Sequence, residues 1–298
     1  MKRIVLFLIC MILSFAAVVV IAEENKNEKI IGGFKNPEFI AYDKITKVLY
    51  MSEFGSGLKP TEKDGAGYIR KLSLKGETLE EKFLPDPKTK IVLNKPKGIA
   101  VKADRLWVTD IDVVWEFDLE TKEGKKLSLQ GAQFLNDVIV RDGTLYVSDT
   151  QGDQIFQIEP ADYLSRSHRP AIKVIAKGKG LSPNGLCGEK GNLFVAGYDF
   201  GGGERGISSV SPKGEVKELL PPFGQLDGIA HTKDGKNIFF SDWKSKTLYK
   251  MKIKEKPEAV ATGFEGPADF ALWEDDKGIH IVIPDLAKSE MRLIDILR

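Results

Sequence analysis

The sequence predicts an all-β protein: a six-bladed β-propeller, four strands per blade, with the last blade closed by the N-terminal strand. Three observations carry that prediction. A short opening motif recurs six times along the chain. Each copy is followed, after a tight turn, by a second strand of aromatic and β-branched residues. No long segment of helical period appears after residue 22. Self-similarity at roughly 40–50 residues is the mark of a repeat architecture, and four short strands per repeat suit a propeller blade.

The openings are Pro37-Glu38-Phe39-Ile40-Ala41, Pro96-Lys97-Gly98-Ile99-Ala100, Leu135-Asn136-Asp137-Val138-Ile139, Pro183-Asn184-Gly185-Leu186, Leu226-Asp227-Gly228-Ile229-Ala230 and Pro267-Ala268-Asp269-Phe270-Ala271. With the second residue of each as a marker, the steps are 59, 39, 48, 43 and 41. The second strands keep phase, as in Leu106-Trp107-Val108-Thr109-Asp110, Leu145-Tyr146-Val147-Ser148-Asp149 and Ile238-Phe239-Phe240-Ser241-Asp242. Third strands follow at Gln154–Ile158 and Thr247–Met251, and fourth strands at Ile172–Ile175 and Ala259–Ala261. The long first step holds an insertion, Gly55 to Gly67, rich in Gly, Lys, Pro, Glu and Asp, which reads as a loop on one face. The final repeat runs out of residues after its third strand, Met291–Leu297. Lys29-Ile30-Ile31-Gly32-Gly33-Phe34 resembles Val260–Phe264 and is expected to supply the missing strand, removing an unpaired edge.

Residues 1–22 stand apart from this repeat. Lys2 and Arg3 precede an apolar run from Ile4 to Ala22, broken only by Ser14, and the polar run Glu23-Glu24-Asn25-Lys26 follows. This pattern predicts a secretory signal peptide over 1–22 and a propeller over 23–298, hence an exported protein, periplasmic or extracellular. The alternative is an uncleaved membrane anchor over residues 4–22, since the run approaches the length of a span. Cys10 lies in that segment, leaving Cys187 alone in the mature chain as a small buried hydrophobe. No disulfide framework is therefore expected, and a large core must hold the fold. With 44 Lys+Arg against 43 Asp+Glu, the chain has no basic excess and no signature of nucleic-acid binding.

In a propeller the first strand of each blade lines the central channel, so the six marker residues converge: Glu38, Lys97, Asn136, Asn184, Asp227 and Ala268. Two carboxylates and two carboxamides in one ring are not what apolar packing selects. Four oxygen donors without His or Cys suit a hard cation, and flexible coordination favours Ca²⁺ over Mg²⁺. The predicted metal ligands are Glu38, Asn136, Asn184 and Asp227. Lys97 opposes them: an ammonium about 6 Å from a divalent ion costs roughly 5 kcal/mol at an effective dielectric of about 20. Alternatively its long stem carries the charge towards the mouth, where it contacts an anionic substrate or a developing oxyanion.

These openings resemble those of the senescence-marker/gluconolactonase family of regucalcin-like propellers, related to diisopropyl fluorophosphatase and paraoxonase. The resemblance spans about residues 30–298. It rests on Glu38 with Asp43, Asn136-Asp137, Pro183-Asn184-Gly185 and Asp227-Gly228, and departs at Phe39, Leu226 and Lys97. It implies a divalent metal, usually Ca²⁺, hydrolysis of a small lactone or ester at the channel mouth, and Asp227 as general base or nucleophile. The other reading is a non-catalytic propeller that binds a protein or glycan.

Several features are read structurally. The repeated pairs Ser52-Glu53, Thr109-Asp110, Ser148-Asp149 and Ser241-Asp242 are expected to tie blades together. Gly201-Gly202-Gly203 reads as a blade turn, Trp243 and Tyr198 as channel-mouth walls or blade packing, and His231 as a weak proton-relay candidate four residues after Asp227.

Overall fold

The computed structural model describes residues 26–188 and 191–297. The predicted signal segment 1–22 lies outside the described residues. Six four-stranded antiparallel sheets form the blades of a six-bladed β-propeller. Blade 1 is Pro37–Asp43, Val48–Glu53, Tyr68–Ser73 and Thr78–Leu84; blades 2 to 5 follow the same order, with inner strands Pro96–Lys102, Leu135–Arg141, Pro183–Cys187 and Leu226–His231. Among the described residues no helix is long and apolar enough to cross a membrane.

Blade 6 closes the ring as the chain ends suggest. Its outer strand is Lys26–Gly32, paired antiparallel with Glu290–Leu297 from Lys26↔Ile296 to Gly32↔Glu290. The ionic counterpart is Arg292, buried in blade 6, which donates to Glu28 (3.1 Å) and to the Thr262 carbonyl (2.8 Å). One expectation needs adjusting. The inner strand of blade 6 is regular only over Ala271–Glu274. Before it, the Ala268 N–H still donates to the Pro284 carbonyl of its own blade (3.1 Å), while the Asp269 N–H donates to the Glu38 carbonyl of blade 1 (3.2 Å) across the closing interface.

Alternating apolar residues fill the gaps between blades. Each of the six interfaces holds one buried apolar cluster: Phe117 and Phe83 between blades 1 and 2, Trp107 and Phe156 between 2 and 3, Phe240 and Met251 between 4 and 5. This distributed core holds a ring that has no disulfide among its described residues, and Cys187 is a free, half-buried thiol packed against one of these clusters.

Three of the four recurring hydroxyl–acid pairs join the blades through their hydroxyls; Ser52 Oγ, in the fourth, is buried without a hydrogen-bond partner. Ser148 Oγ donates to the Asn184 carbonyl of the next blade (2.6 Å) and accepts from the Asp137 N–H of its own (2.8 Å). Ser241 does the same between Ala268 (3.0 Å) and Gly228 (2.8 Å), and Thr109 donates to the Asn136 carbonyl. The paired acids cap the segment entering their own blade: Asp110 accepts from the Lys95 N–H, Asp149 from Phe134 and Asp242 from Gln225. The hydroxyls therefore hold the marker residues at the axis.

Candidate functional site at one mouth of the channel

The inner strands do not alternate strictly where it matters. In blades 2 to 5 the ladder to the second strand skips the marker and its successor, resuming at Ile99, Val138, Leu186 and Ile229. Such a bulge releases two consecutive residues from period-2 alternation and re-aims them. Gly98 and Gly228 occupy the second of these places. A Cβ on Gly98 would lie 2.5 Å from Asp137 Cα, and one on Gly228 would lie 2.6 Å from Asp269 Cα. Glycine there lets adjacent blades close onto the axis.

Glu38, Lys97, Asn136, Asn184 and Asp227 all line one cavity of about 250 Å³. The sixth marker, Ala268, is fully buried beside it, in contact with Phe54 and Leu286. The walls are apolar and aromatic: Phe54, Leu58, Phe134, Tyr198, Phe200 and Trp243. Trp243 donates its indole N–H to Asp227 Oδ2 (2.6 Å), and the Tyr198 ring meets Trp243 edge-on at 6.4 Å.

The floor carries acceptors without donors. Glu38 Oε2, Asn184 Oδ1 and Asp227 Oδ1 are buried and have no hydrogen-bond partner. Lys97 does not serve them. Its ammonium donates to the Lys95 carbonyl (3.1 Å) and sits against the aromatic wall, 4.4 Å from the Phe134 ring centre and 5.6 Å from that of Phe54. Its side chain is 1% exposed, so the charge stays inside the cavity wall instead of reaching solvent. Three orphaned oxygens from three blades are a donor set that fits a hard cation. Among the described residues no three His, Cys, Asp or Glu side chains form a metal-binding cluster by themselves; Asn136, the fourth predicted ligand, lines the same cavity.

Burial governs the charges. Desolvation and then repulsion from Asp227 push Glu38 well above the carboxylate range, against the pull of Lys97. Desolvation pushes Asp227 up to about 7, the Trp243 hydrogen bond opposing and Asp137 adding to the rise. Burial brings Lys97 down to about 8, outweighing the attraction of Glu38. Behind the floor, Asp137 accepts the Leu186 N–H on Oδ2 (2.7 Å), while the buried Oδ2 of Asp269, from the opposite blade, has no hydrogen-bond partner. Burial first, then repulsion from Asp137 and Asp227, raises Asp269 well above its usual range. Four buried carboxyl groups around one ammonium require protons or a cation.

Phe54, Phe134, Phe200 and Leu58 were not singled out by the sequence. All four lie in loops between strands, where no periodicity fixes the direction of a side chain. Asp137 and Asp269 had a signal: both follow a marker directly. His231 stands at the far end of its strand, its Nδ1 against the Thr232 carbonyl (2.8 Å). It lines a wider groove of about 650 Å³ at the opposite end of the channel. There the ring faces are already covered: Lys47 lies over Tyr42, which stacks on Trp273, which stacks on His280. The aromatic faces of that groove are therefore already paired.

The fold is shared with solved β-propellers. Streptogramin B lyase superposes with a TM-score of 0.60 at 14% identity, over 91% of this chain and 98% of that one. Virginiamycin B lyase from Staphylococcus aureus gives 0.60 at 14%, over 91% and 100%. A Bacteroides thetaiotaomicron protein of unknown function gives 0.59 at 12%, over 91% and 76%. No protein-family model and no curated protein matches the sequence. At such identities the likeness establishes the propeller alone, and the site speaks for its own chemistry.

Proposed function

We propose that the cavity is the active site of an exported, divalent-metal-dependent hydrolase, with Ca²⁺ the preferred ion and a small lactone or ester the substrate. The observation that carries this reading is the convergence of the orphaned oxygens of Glu38, Asn184 and Asp227 on one buried floor. The resemblance of the openings to the gluconolactonase family supports it, as does the enzymatic naming of two structural neighbours as lyases.

Glu38, Asn136, Asn184 and Asp227 would hold the ion, which when bound supplies Lewis-acid polarisation of a substrate oxygen. The chain's own groups do the rest. Asp227 accepts the proton of the attacking water on Oδ2, the oxygen that the Trp243 indole positions, leaving the unpartnered Oδ1 for the ion. Water oxygen bonds to the carbonyl carbon, the ester C–O bond breaks, and the proton passes to the departing alkoxide. Lys97 provides a positive charge in the wall for the developing oxyanion. Phe134 and Phe54 keep water from the ammonium, which strengthens that interaction.

A second reading, a non-catalytic propeller that binds a protein or glycan, is favoured by Lys97, whose buried ammonium offsets one of the floor carboxylates. Thermal unfolding separates the two. An ion that binds only the native protein, at 100 times its dissociation constant, adds about 2.7 kcal/mol. The account expects that gain with Ca²⁺ against chelator, together with ester hydrolysis that Asp227→Asn abolishes in a folded protein. Hydrolysis unchanged in Asp227→Asn, or no effect of Ca²⁺ on unfolding, contradicts it.

A further inference from the structure

The first-blade insertion is more than a surface loop. It joins Val48–Glu53 to Tyr68–Ser73, and its feet are pinned: the Gly67 N–H donates to the Leu93 carbonyl (3.1 Å) and the Gly65 N–H to Asn94 Oδ1 (3.2 Å). The main fastening is Lys95. Its side chain is 0% exposed, and the ammonium donates to the Phe54 carbonyl (3.1 Å), the Ser56 carbonyl (3.4 Å) and Asp64 Oδ2 (2.7 Å). A buried ammonium is tolerated only when its donors are fully used, and here all three contacts fall on the insertion or its entry. The loop is thereby strapped over the cavity, with Leu58 and Pro60 in the cavity wall.

The turn after the second strand of blade 4 faces it and presents Phe200, which packs edge-on against Phe134 (4.9 Å) and tilted against Tyr198 (5.1 Å). Leu58 and Phe200 are each 50% exposed although both line the cavity. Two large apolar side chains left half open at one mouth gain burial when an apolar ligand enters. The walls offer few polar partners: the Tyr198 hydroxyl, and a Trp243 N–H already given to Asp227. A sugar ring seated there would leave the hydroxyls that face these walls, away from the acceptors of the floor, without hydrogen bonds. At interior packing density the cavity holds on the order of a dozen non-hydrogen atoms.

We propose that the strapped insertion and the Phe200 turn form a fixed apolar clasp that selects lactones or esters bearing a short alkyl or aryl group over polyhydroxylated ones, with Leu58 and Phe200 as the specificity-determining side chains. This deepens the hydrolase reading and rests on it. Two six-membered lactones of similar size test it, δ-octalactone and D-glucono-δ-lactone. The wild-type protein is expected to favour the alkyl lactone in kcat/KM by more than tenfold. Leu58→Ser and Phe200→Ser, both at exposed positions, are each expected to cut that ratio by about fourfold, the value of one buried methylene. An equal or reversed preference, or a ratio that neither variant moves, overturns the proposal. Calorimetric binding of the same two lactones separates it from the catalytic claim. If the wild type hydrolyses neither, selective binding of δ-octalactone that weakens in both variants keeps the clasp and removes the hydrolase. Absent or unselective binding removes the clasp as well.

Discussion

Trp243 and Asp227 show how one neighbour sets the chemistry of a residue. Burial drives the Asp227 carboxyl upward, and the indole N–H at 2.6 Å restrains it by favouring the ionised form. Replacing Trp243 with Phe keeps the ring and removes that donor, so the Asp227 pKa rises further. The acid limb of the pH–rate profile is then expected to move to higher pH, with folding retained; a limb that stays in place contradicts Asp227 as the base. The marker residues were legible in the sequence because a propeller's innermost strands bring equivalent positions together whatever their separation along the chain. The direction of Lys97 was not, since a four-carbon stem can go several ways. What decides is Phe134, from a loop of the next blade, whose ring takes the ammonium at 4.4 Å. The hydroxyls of Thr109, Ser148 and Ser241 act as the repeated pairs suggested, each fixing the carbonyl of the next blade's marker.

At the scale of strands, blades 2 to 5 share one device: a bulge at the marker that frees two successive residues from alternation, the second a glycine except in blade 3, where it is Asp137. Period-2 alternation, which made the strands readable, conceals such a bulge. Asp137 was therefore visible beside Asn136 but not as a second buried carboxylate. The last blade carries an electrostatic fastening of its own. His280 lies between Asp275 (2.9 Å) and Asp295 (2.6 Å), tying the turn before its strand to the strand that follows. Burial lowers the imidazole pKa, but the two carboxylates outweigh it and the net shift is upward. A raised pKa contributes stability that is fully present below the unfolded value of about 6.5 and is lost as pH rises through the folded value. Stability is thus expected to fall across that window, by less than about 1 kcal/mol because both carboxylates are exposed, and the unfolding temperature falls with it. His280→Gln flattens that part of the profile; an unaltered profile shows that the triad is not a fastening.

For the molecule as a whole, the ring closes by joining the two ends of the described chain, Lys26–Gly32 against Glu290–Leu297. The repeat count and the missing fourth strand were enough to predict this, because an open edge has to be filled. The interblade clusters were legible only as alternation; which blade faces which follows from the circular order. The apolar clasp was not legible at all, as it depends on a loop from blade 1 meeting a turn from blade 4. Assembly of the ring places four side chains, distant in sequence, around one buried floor. Diffraction from crystals grown with Ca²⁺ tests that arrangement most directly. The account predicts a single ion at the axis, about 2.3–2.6 Å from oxygens of Glu38, Asn136, Asn184 and Asp227. A Ca²⁺-soaked crystal with the axis empty, or with the Lys97 ammonium drawn in among those oxygens, would contradict it.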